Sequence, residues 1–409
     1  MSFLAKIEGR CEDVFYLYKV DNSYAERGVN LSRIKLYDKS SLHELPWEKV
    51  RDGSRIRSFL CSLVQEDPKT LISNVETRMQ ILTIDDLALP LSINCEEYDN
   101  SYVCSPYTHY ITAAIEELKV INNRFIRTAL KGFLKSIGAI LKWGAVNRVV
   151  CVNNWLIPTN LHYDLNDGQL EEITKFLTRE FPHHAIQFRS LNHLTNSPLI
   201  NHLNSLGYQM IINRQIYLID GRQMDAFSGN MMKKDFSLVK KSAYETRPIQ
   251  ESDIENILAH YNSVYLEKYS LLNPNYTKNW TKLISTSDCW KIRALEKEKN
   301  IDGAFAYLQI ENVMTMPFFG YNVSLSQDCG LYRIISAMVA HDAKETKSIL
   351  NMSAGASSFK RLRRGIDHLE FRAVYIDHLS YRQKTPWKLL KYALNKPAEI
   401  FLNKYGENI

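Results

Sequence analysis

The run from Ser348 to Gly365, with the strand after it, limits what this chain can fold into more than any other segment. Ser348-Ile349-Leu350-Asn351-Met352 is largely apolar and gives way to the small residues Ser353-Ala354-Gly355-Ala356-Ser357-Ser358. Phe359-Lys360-Arg361-Leu362-Arg363-Arg364 reads as a short basic helix closed by Gly365, and Leu369 to Ile376 reads as a strand. Strand, small-residue turn, helix, glycine and strand in that order specify an α/β layer. Small residues at a strand end let backbone amides approach a ligand, and a helix starting there offers unpaired N–H groups to an anion. Lys360 stands in the first turns of that helix, where a phosphate or the oxyanion of a tetrahedral intermediate would sit. The solvated face of a surface helix explains the same cations equally well.

The same order occurs upstream. Ala185 to Leu191 reads as a strand and Pro198 to Leu206 as a helix with Pro198 in its first turn. Gly207 ends that helix as a C-cap, and Gln209 to Ile219 returns as a strand. Gly207, Arg214 and Tyr217 each lie 158 positions before Gly365, Arg372 and Tyr375. We read two diverged copies of one unit. With 409 residues, more than one domain is expected. The expected division is an N-terminal domain over 1–225, with 1–70 as an extension, a basic connector over 226–243, and a C-terminal domain with a basic tail over 244–409. Tyr102 to Cys104 reads as a further strand, and Ile111 to Ile140 as one helix with weak points at Gly132 and Gly138.

The strand–turn–helix–glycine–strand order, with its Phe359-Lys360 pair, resembles the C-terminal half of an acyltransferase domain of the GNAT superfamily, and most of all its Fem-type branch. Arg247-Pro248 with Asp253 after it resembles the opening of many GNAT domains. The resemblance implies an α/β (α+β) chain of two tandem GNAT-like domains, each a mixed twisted sheet flanked by helices. It also implies an N-acyltransferase that moves an acyl group from a thioester or aminoacyl ester onto an amine. One motif departs from the superfamily. Most acetyl-CoA-using members carry a Gln/Arg-x-x-Gly-x-Gly/Ala loop whose amides hold the pyrophosphate. Here Gln327-Asp328-Cys329-Gly330-Leu331-Tyr332-Arg333 has one glycine, and Asp328 would repel phosphates. Thr159 to Asp164 in the first unit has no glycine. No cofactor is firmly expected. The co-substrate is an acyl-CoA, an acyl carrier or an aminoacyl-tRNA, the last as in Fem-type enzymes. A catalytically silent GNAT-like module that binds a carrier protein or RNA is the alternative outside enzymology.

The expected catalytic residues are Lys360 for oxyanion or phosphate stabilisation, Tyr332 for protonating the leaving group, and His109 as a base or substrate contact. Ser353, Gly355, Phe359 and Arg333 belong to the donor-binding segments just described. Tyr321 and Asn322 follow an apolar strand beside Gly320, and Tyr107 lies in a hydroxyl-rich run with His109. Asn153 and Asn154 end one buried strand, and Arg189 and Asn192 end the next, so both pairs could border a crevice at strand ends. No metal site is expected, because the cysteines form no Cys-x-x-Cys and the adjacent His183 and His184 point in different directions.

From residue 330 to the end there are 14 Lys+Arg and 7 Asp+Glu, so the excess positive charge of the chain lies there. Such a patch suits a phosphate-bearing donor, a carrier protein, tRNA or a membrane surface. No run of about 18 apolar residues suggests a membrane span. Seven scattered cysteines point to a reduced, cytoplasmic setting.

Overall fold

The structure is a computed structural model and describes residues 33–405. Its strands are β1 (Ile34–Tyr37), β2 (Arg78–Ile84), β3 (Leu87–Asn94), β4 (Val149–Val152), β5 (Ala185–Leu191) and β6 (Gln209–Asp220) in the first half. The second half contributes β7 (Glu245–Arg247), β8 (Trp290–Lys297), β9 (Asn300–Ile310), β10 (Val313–Tyr321), β11 (Ile349–Asn351) and β12 (Ile366–Tyr375). All twelve join one mixed sheet in the order β1-β2-β3-β4-β5-β12-β6-β11-β10-β9-β8-β7. Adding six to each strand number reverses that order onto itself. The pairing senses follow the same rule: only β4 with β5 and β10 with β11 are parallel.

The two halves are joined by exchange. β12 lies between β5 and β6, and β6 lies between β12 and β11. Each half therefore completes its sheet with the last strand of the other. β4 and β5 are buried at every residue, as strands covered on both faces must be.

The helices are α1 (Gly53–Gln65), α2 (Pro68–Leu71), α3 (Ala113–Glu117), α4 (Arg124–Trp143), α5 (Asp167–Glu180), α6 (His193–Ser205), α7 (Asn230–Lys241), α8 (Ile254–Asn262), α9 (Lys278–Thr286), α10 (Leu331–Glu345), α11 (Ser357–Arg361) and α12 (Tyr381–Tyr405). One continuous core packs α1, α5, α6, α8 and α9 on the sheet through residues such as Phe59, Ile173, Leu203, Tyr261 and Trp280. Three separate cores lie elsewhere: one under α10, with Ile334, Ile335 and Val339, one joining Leu141 of α4 to Trp387 of α12, and a small one of Ile216, Leu218 and Ile349.

Several local expectations are corrected. Tyr102 to Cys104 is a turn, because Asn154 and Arg189 use the Val103 carbonyl that a strand ladder would need. The helix expected over Ile111 to Ile140 breaks before residue 124, and its glycines are not the break. Asn123 accepts hydrogen bonds from the Phe125 and Ile126 amides and starts α4 afresh. Asn192 caps α6 in the same way, so that helix begins before Pro198, which sits inside it behind a kink at Asn196. The segment 226–243, read as a basic connector, carries α7, and Phe227 and Met232 are buried. Asp235 of α7 is also buried and pairs with Arg333 and Arg363. Gly207 follows α6 with φ +90°, whereas after α11 it is Arg364 that takes the left-handed conformation, one residue before Gly365. Cys61, Cys104, Cys151, Cys289 and Cys329 are free.

Gly320 of β10 lets α8 sit directly on the strand. A Cβ there would lie 2.3 Å from the Tyr261 amide nitrogen and 2.5 Å from the His260 carbonyl carbon. Backbone cannot yield as a side chain does, so Gly320→Ala is expected to cost about 1–3 kcal/mol of unfolding free energy by denaturant titration.

Candidate functional site

The parallel strands β10 and β11 stay together for only three pairs, Val313 to Thr315 against Ile349 to Asn351. β10 then continues through a register shift at Met316 and Pro317, where Pro317 has no N–H to give. β11 stops, and the chain turns away through Ser353, Gly355 and Ala356, all in the left-handed region with φ of 60°, 75° and 48°. Between the diverging segments lies a cleft of about 620 Å³. Phe319, Tyr321 and Tyr332 line it from the second half, and Tyr102, His109, Tyr110 and Arg214 from the first.

The equivalent divergence of β4 and β5 is filled. Chain 153–165 packs there, with Trp155 fully buried, and the remaining cavity is about 10 Å³, room for a water molecule.

Charged groups are concentrated beneath the open cleft. Glu370 of β12 is fully buried and accepts from Arg214 Nε at 2.9 Å and Asn213 Nδ2 at 2.6 Å. Arg214 also donates to Pro158 O and Thr159 Oγ1 at 2.9 and 3.0 Å. Arg372 is 1% exposed, lies over the Tyr110 ring at 5.1 Å, and leaves Nε and Nη1 without a partner. Arg189, also buried, donates to Val103 O and Pro158 O. Three arginines thus share one carboxylate, and the interior under the cleft is positive.

Lys360 is 4% exposed and lines the cleft. Its Nζ donates to the carbonyls of Ser353 and Ala354 at 3.0 and 2.7 Å, tying α11 to the turn that forms the cleft wall. Burial first, and Arg214 second, push its pKa down to about 7. The two carbonyls oppose that shift, since they favour an ammonium group. The sequence placed Lys360 on a surface helix with amides around it. In the structure it is buried, because five-residue α11 folds back onto Tyr217 of β6, and carbonyls rather than amides surround its Nζ.

His109 is held neutral. Burial, then Arg372, Arg214 and Arg189, drive its pKa well below the ordinary value, and its Nε2 lies 3.4 Å from Asn213 O. Tyr332 is pushed the other way, up to about 12, mainly by burial among aromatic rings, with Phe359 at 4.6 Å and Phe319 at 5.7 Å.

Lys360, Tyr332, His109, Ser353, Gly355 and Tyr321 therefore meet in one cleft, and the other sequence candidates do not line it. Phe359 backs Tyr332 beneath the Arg363 guanidinium. Arg333 is engaged by Asp235 at 2.7 Å. Asn322 orders a turn by accepting from Ser324. Tyr107 packs on Tyr98 at 5.1 Å. Asn153 and Asn154 satisfy buried groups of chain 153–165 and Ser92, Arg189 holds carbonyls, and Asn192 caps α6 beside the small cavity. Strand ends need such polar residues for their own backbone, and this accounts for the excess of candidates. Arg214, Glu370, Tyr102 and Tyr265 were missed as site residues. The signal was a charge at the middle of a strand that pairs on both sides, at Arg214 and at Glu370.

The place where a pyrophosphate loop would stand is covered. α10 begins at Gly330, in the left-handed region at φ +65°, and a Cβ there would lie 2.8 Å from Leu238 of α7. Among the described residues no cluster of three or more His, Cys, Asp or Glu could hold a metal ion.

No protein-family model and no curated protein matches the chain by sequence. Among solved structures it is similar to FemX, over 55% of this chain and 80% of that one, at 8% identity and a TM-score of 0.42. L-PGS from Bacillus licheniformis aligns over 59% and 81% at 11% identity and 0.42. A GCN5-related N-acetyltransferase from Kribbella flavida aligns over 57% and 82% at 10% identity and 0.30. The kinds of protein that the sequence resembles recur here, but likeness at this level assigns the chain no activity.

The Lys360 shift has a thermodynamic consequence. Its folded pKa is below the unfolded one, so between pH 7 and 10.5 the unfolded chain binds more protons. Stability due to this group rises with pH across that window. Relative to Lys360→Met, the wild-type protein should gain up to about 1.4 kcal/mol per pH unit there, read by urea unfolding at several pH values.

Proposed function

We propose that the cleft at the β10–β11 divergence is the active site of an N-acyltransferase. The observation that supports this reading best is the pairing, in one cleft, of a low-pKa amine with a phenol that stays protonated. Lys360 titrates near neutrality. In its neutral form both N–H groups bond to Ser353 and Ala354, and its lone pair is free to take a proton. His109, held neutral by burial and then by three arginines, is a poor base and serves as a hydrogen-bonding contact. The amine acceptor gives its proton to Lys360 and attacks the acyl carbonyl. The new C–N bond forms, Arg214 and the positive interior stabilise the oxyanion, and the C–S or C–O bond breaks as Tyr332 donates its proton to the leaving atom. Lys360 thus acts as the base rather than as the oxyanion stabiliser expected from the sequence.

The donor is a carrier-bound acyl group or an aminoacyl ester rather than free acetyl-CoA. Leu238 covers the start of α10, Asp328 stands beside it, and Arg333 is already paired. Calorimetry should give a dissociation constant for acetyl-CoA weaker than about 10⁻⁴ M; micromolar binding, near −8 kcal/mol, would refute this choice of donor.

A donor panel of acyl-CoA, acyl-carrier protein and aminoacyl-tRNA, with product amide detected by mass spectrometry, tests the activity itself. Tyr332→Phe and Lys360→Met should each slow turnover about 10²-fold, and Lys360→Met should also remove the rise in rate around pH 7. Unchanged rates in both variants would remove Lys360 and Tyr332 from the chemistry, and no product amide with any donor would leave a binding module as the better reading.

A further inference from the structure

α4 carries a face that the rest of the molecule does not cover. Phe125, Ile126, Leu130, Phe133, Ile140 and Trp143 are all exposed, Phe125 to 85% and Phe133 to 63%. At 100° per residue they fall within an arc of about 140°. Arg124, Arg127, Lys131, Lys135 and Lys142 occupy a separate arc of about 80°. The helix is anchored towards its C-terminal end, where Leu141 is buried, Gly138, which points within the basic arc, rests against Tyr107 and Ile111, and Lys142 lies over the Tyr98 and Tyr107 rings, so the apolar arc is turned away from the body of the molecule. Isolated exposed apolar residues need no explanation, but six on one helix face do.

The charges around this face have one sign. Residues 118–148 contain seven Lys and Arg and no Asp or Glu. The neighbouring α12 adds five more over 381–396, again with no carboxylate, and exposes Tyr381 and Tyr392. The two helices are joined where Arg382 donates to Trp143 O at 2.6 Å. A protein surface would present carboxylates against so many cations, together with apolar side chains shaped to the face. An anionic bilayer presents both needs at once, phosphates at the headgroups and acyl chains beneath. No helix among the described residues is long and apolar enough to cross a membrane, so this chemistry suits a helix lying in the interface.

We propose that α4 is an in-plane docking helix for an anionic lipid surface, with Phe125, Phe133, Ile140 and Trp143 inserted among the headgroups and the lysines of α4 and α12 against their phosphates. Ala113, Ala114 and Glu117 of α3, immediately before α4, and Leu394 of α12 line the cleft. Docking on these helices therefore sets the cleft beside the lipid surface, where an amphiphilic substrate could enter from the bilayer. The docking does not depend on the transfer chemistry proposed above.

Co-sedimentation of the full chain with vesicles tests the proposal. The wild-type protein should pellet with vesicles containing phosphatidylglycerol and not with pure phosphatidylcholine. Phe125→Ser/Phe133→Ser and Lys131→Glu/Lys135→Glu should each weaken binding about 10-fold or more, with unchanged thermal unfolding because all four residues are exposed. In the wild-type protein, hydrogen exchange with vesicles added should slow in 124–143 and 381–396. Failure to pellet with phosphatidylglycerol vesicles overturns the proposal, as does protection confined to other segments. Loss of binding in the lysine variant with full retention in the phenylalanine variant would show a polyanion site instead. A dimer that the phenylalanine substitutions dissociate, without lipid binding, would show that a second copy covers this face.

Discussion

The antiparallel pairing of β6 with β12 holds the molecule together. It is the seam across which each half receives the final strand of the other, and it runs the length of both strands apart from one register shift after Glu370. Without β12, β5 would have an open edge, and without β6 so would β11. The pairing also places Arg214 of one strand opposite Glu370 of the other, in the middle of the sheet. A buried ion pair adds little to stability, but removing either partner strands a charge and costs about 3–5 kcal/mol. The pair therefore acts chiefly on register: a slip of one residue would turn both charges to the other face.

The positive interior of the cleft follows from the same seam. Arg214 and Arg372 come from the two exchanged strands, Arg189 comes from neighbouring β5, and only Glu370 offsets them. Burial, reinforced by that balance, keeps His109 neutral and lowers the proton affinity of Lys360. Tyr332 feels mainly the aromatic burial around it. A site with a partly deprotonated amine and a fully protonated phenol at neutral pH is thus a product of burial and of charges delivered by the sheet, rather than of direct contacts between the two groups.

Although the halves share a strand order, they part company where their parallel strands diverge. In the first half the long segment 153–165 folds into the gap and satisfies itself through Asn153, Asn154 and Asn160. In the second half the corresponding segment after β10, 322–330, is shorter and none of 322–329 is buried, while the turn after β11 passes through three left-handed residues, and the gap stays open. The opening is walled by the first half. Tyr102, His109 and Arg214 reach it only because the sheet is continuous.

The strand–helix–strand units at 185–220 and 349–375 were legible from apolar runs bounded by small residues, and the 158-residue register picked out Arg214 and Arg372 as related positions. The class of fold followed from that order alone. Lys360, Tyr332 and His109 could be named as chemically able groups, but not placed in one cleft, because they lie on segments far apart in the chain. The break at Asn123 was hidden by an apolar period that continues across it, and the turn at 102–104 by apolar residues that serve the core without being a strand. Strand exchange was not legible at all. Alternation of side chains fixes which face of a strand is buried and carries no record of which strand lies beside it. Local sequence thus determined the elements and the reactive residue types. The tertiary structure decided that β6 and β12 trade places, and with that which half is open, which charges lie beneath it, and how each candidate group holds its proton.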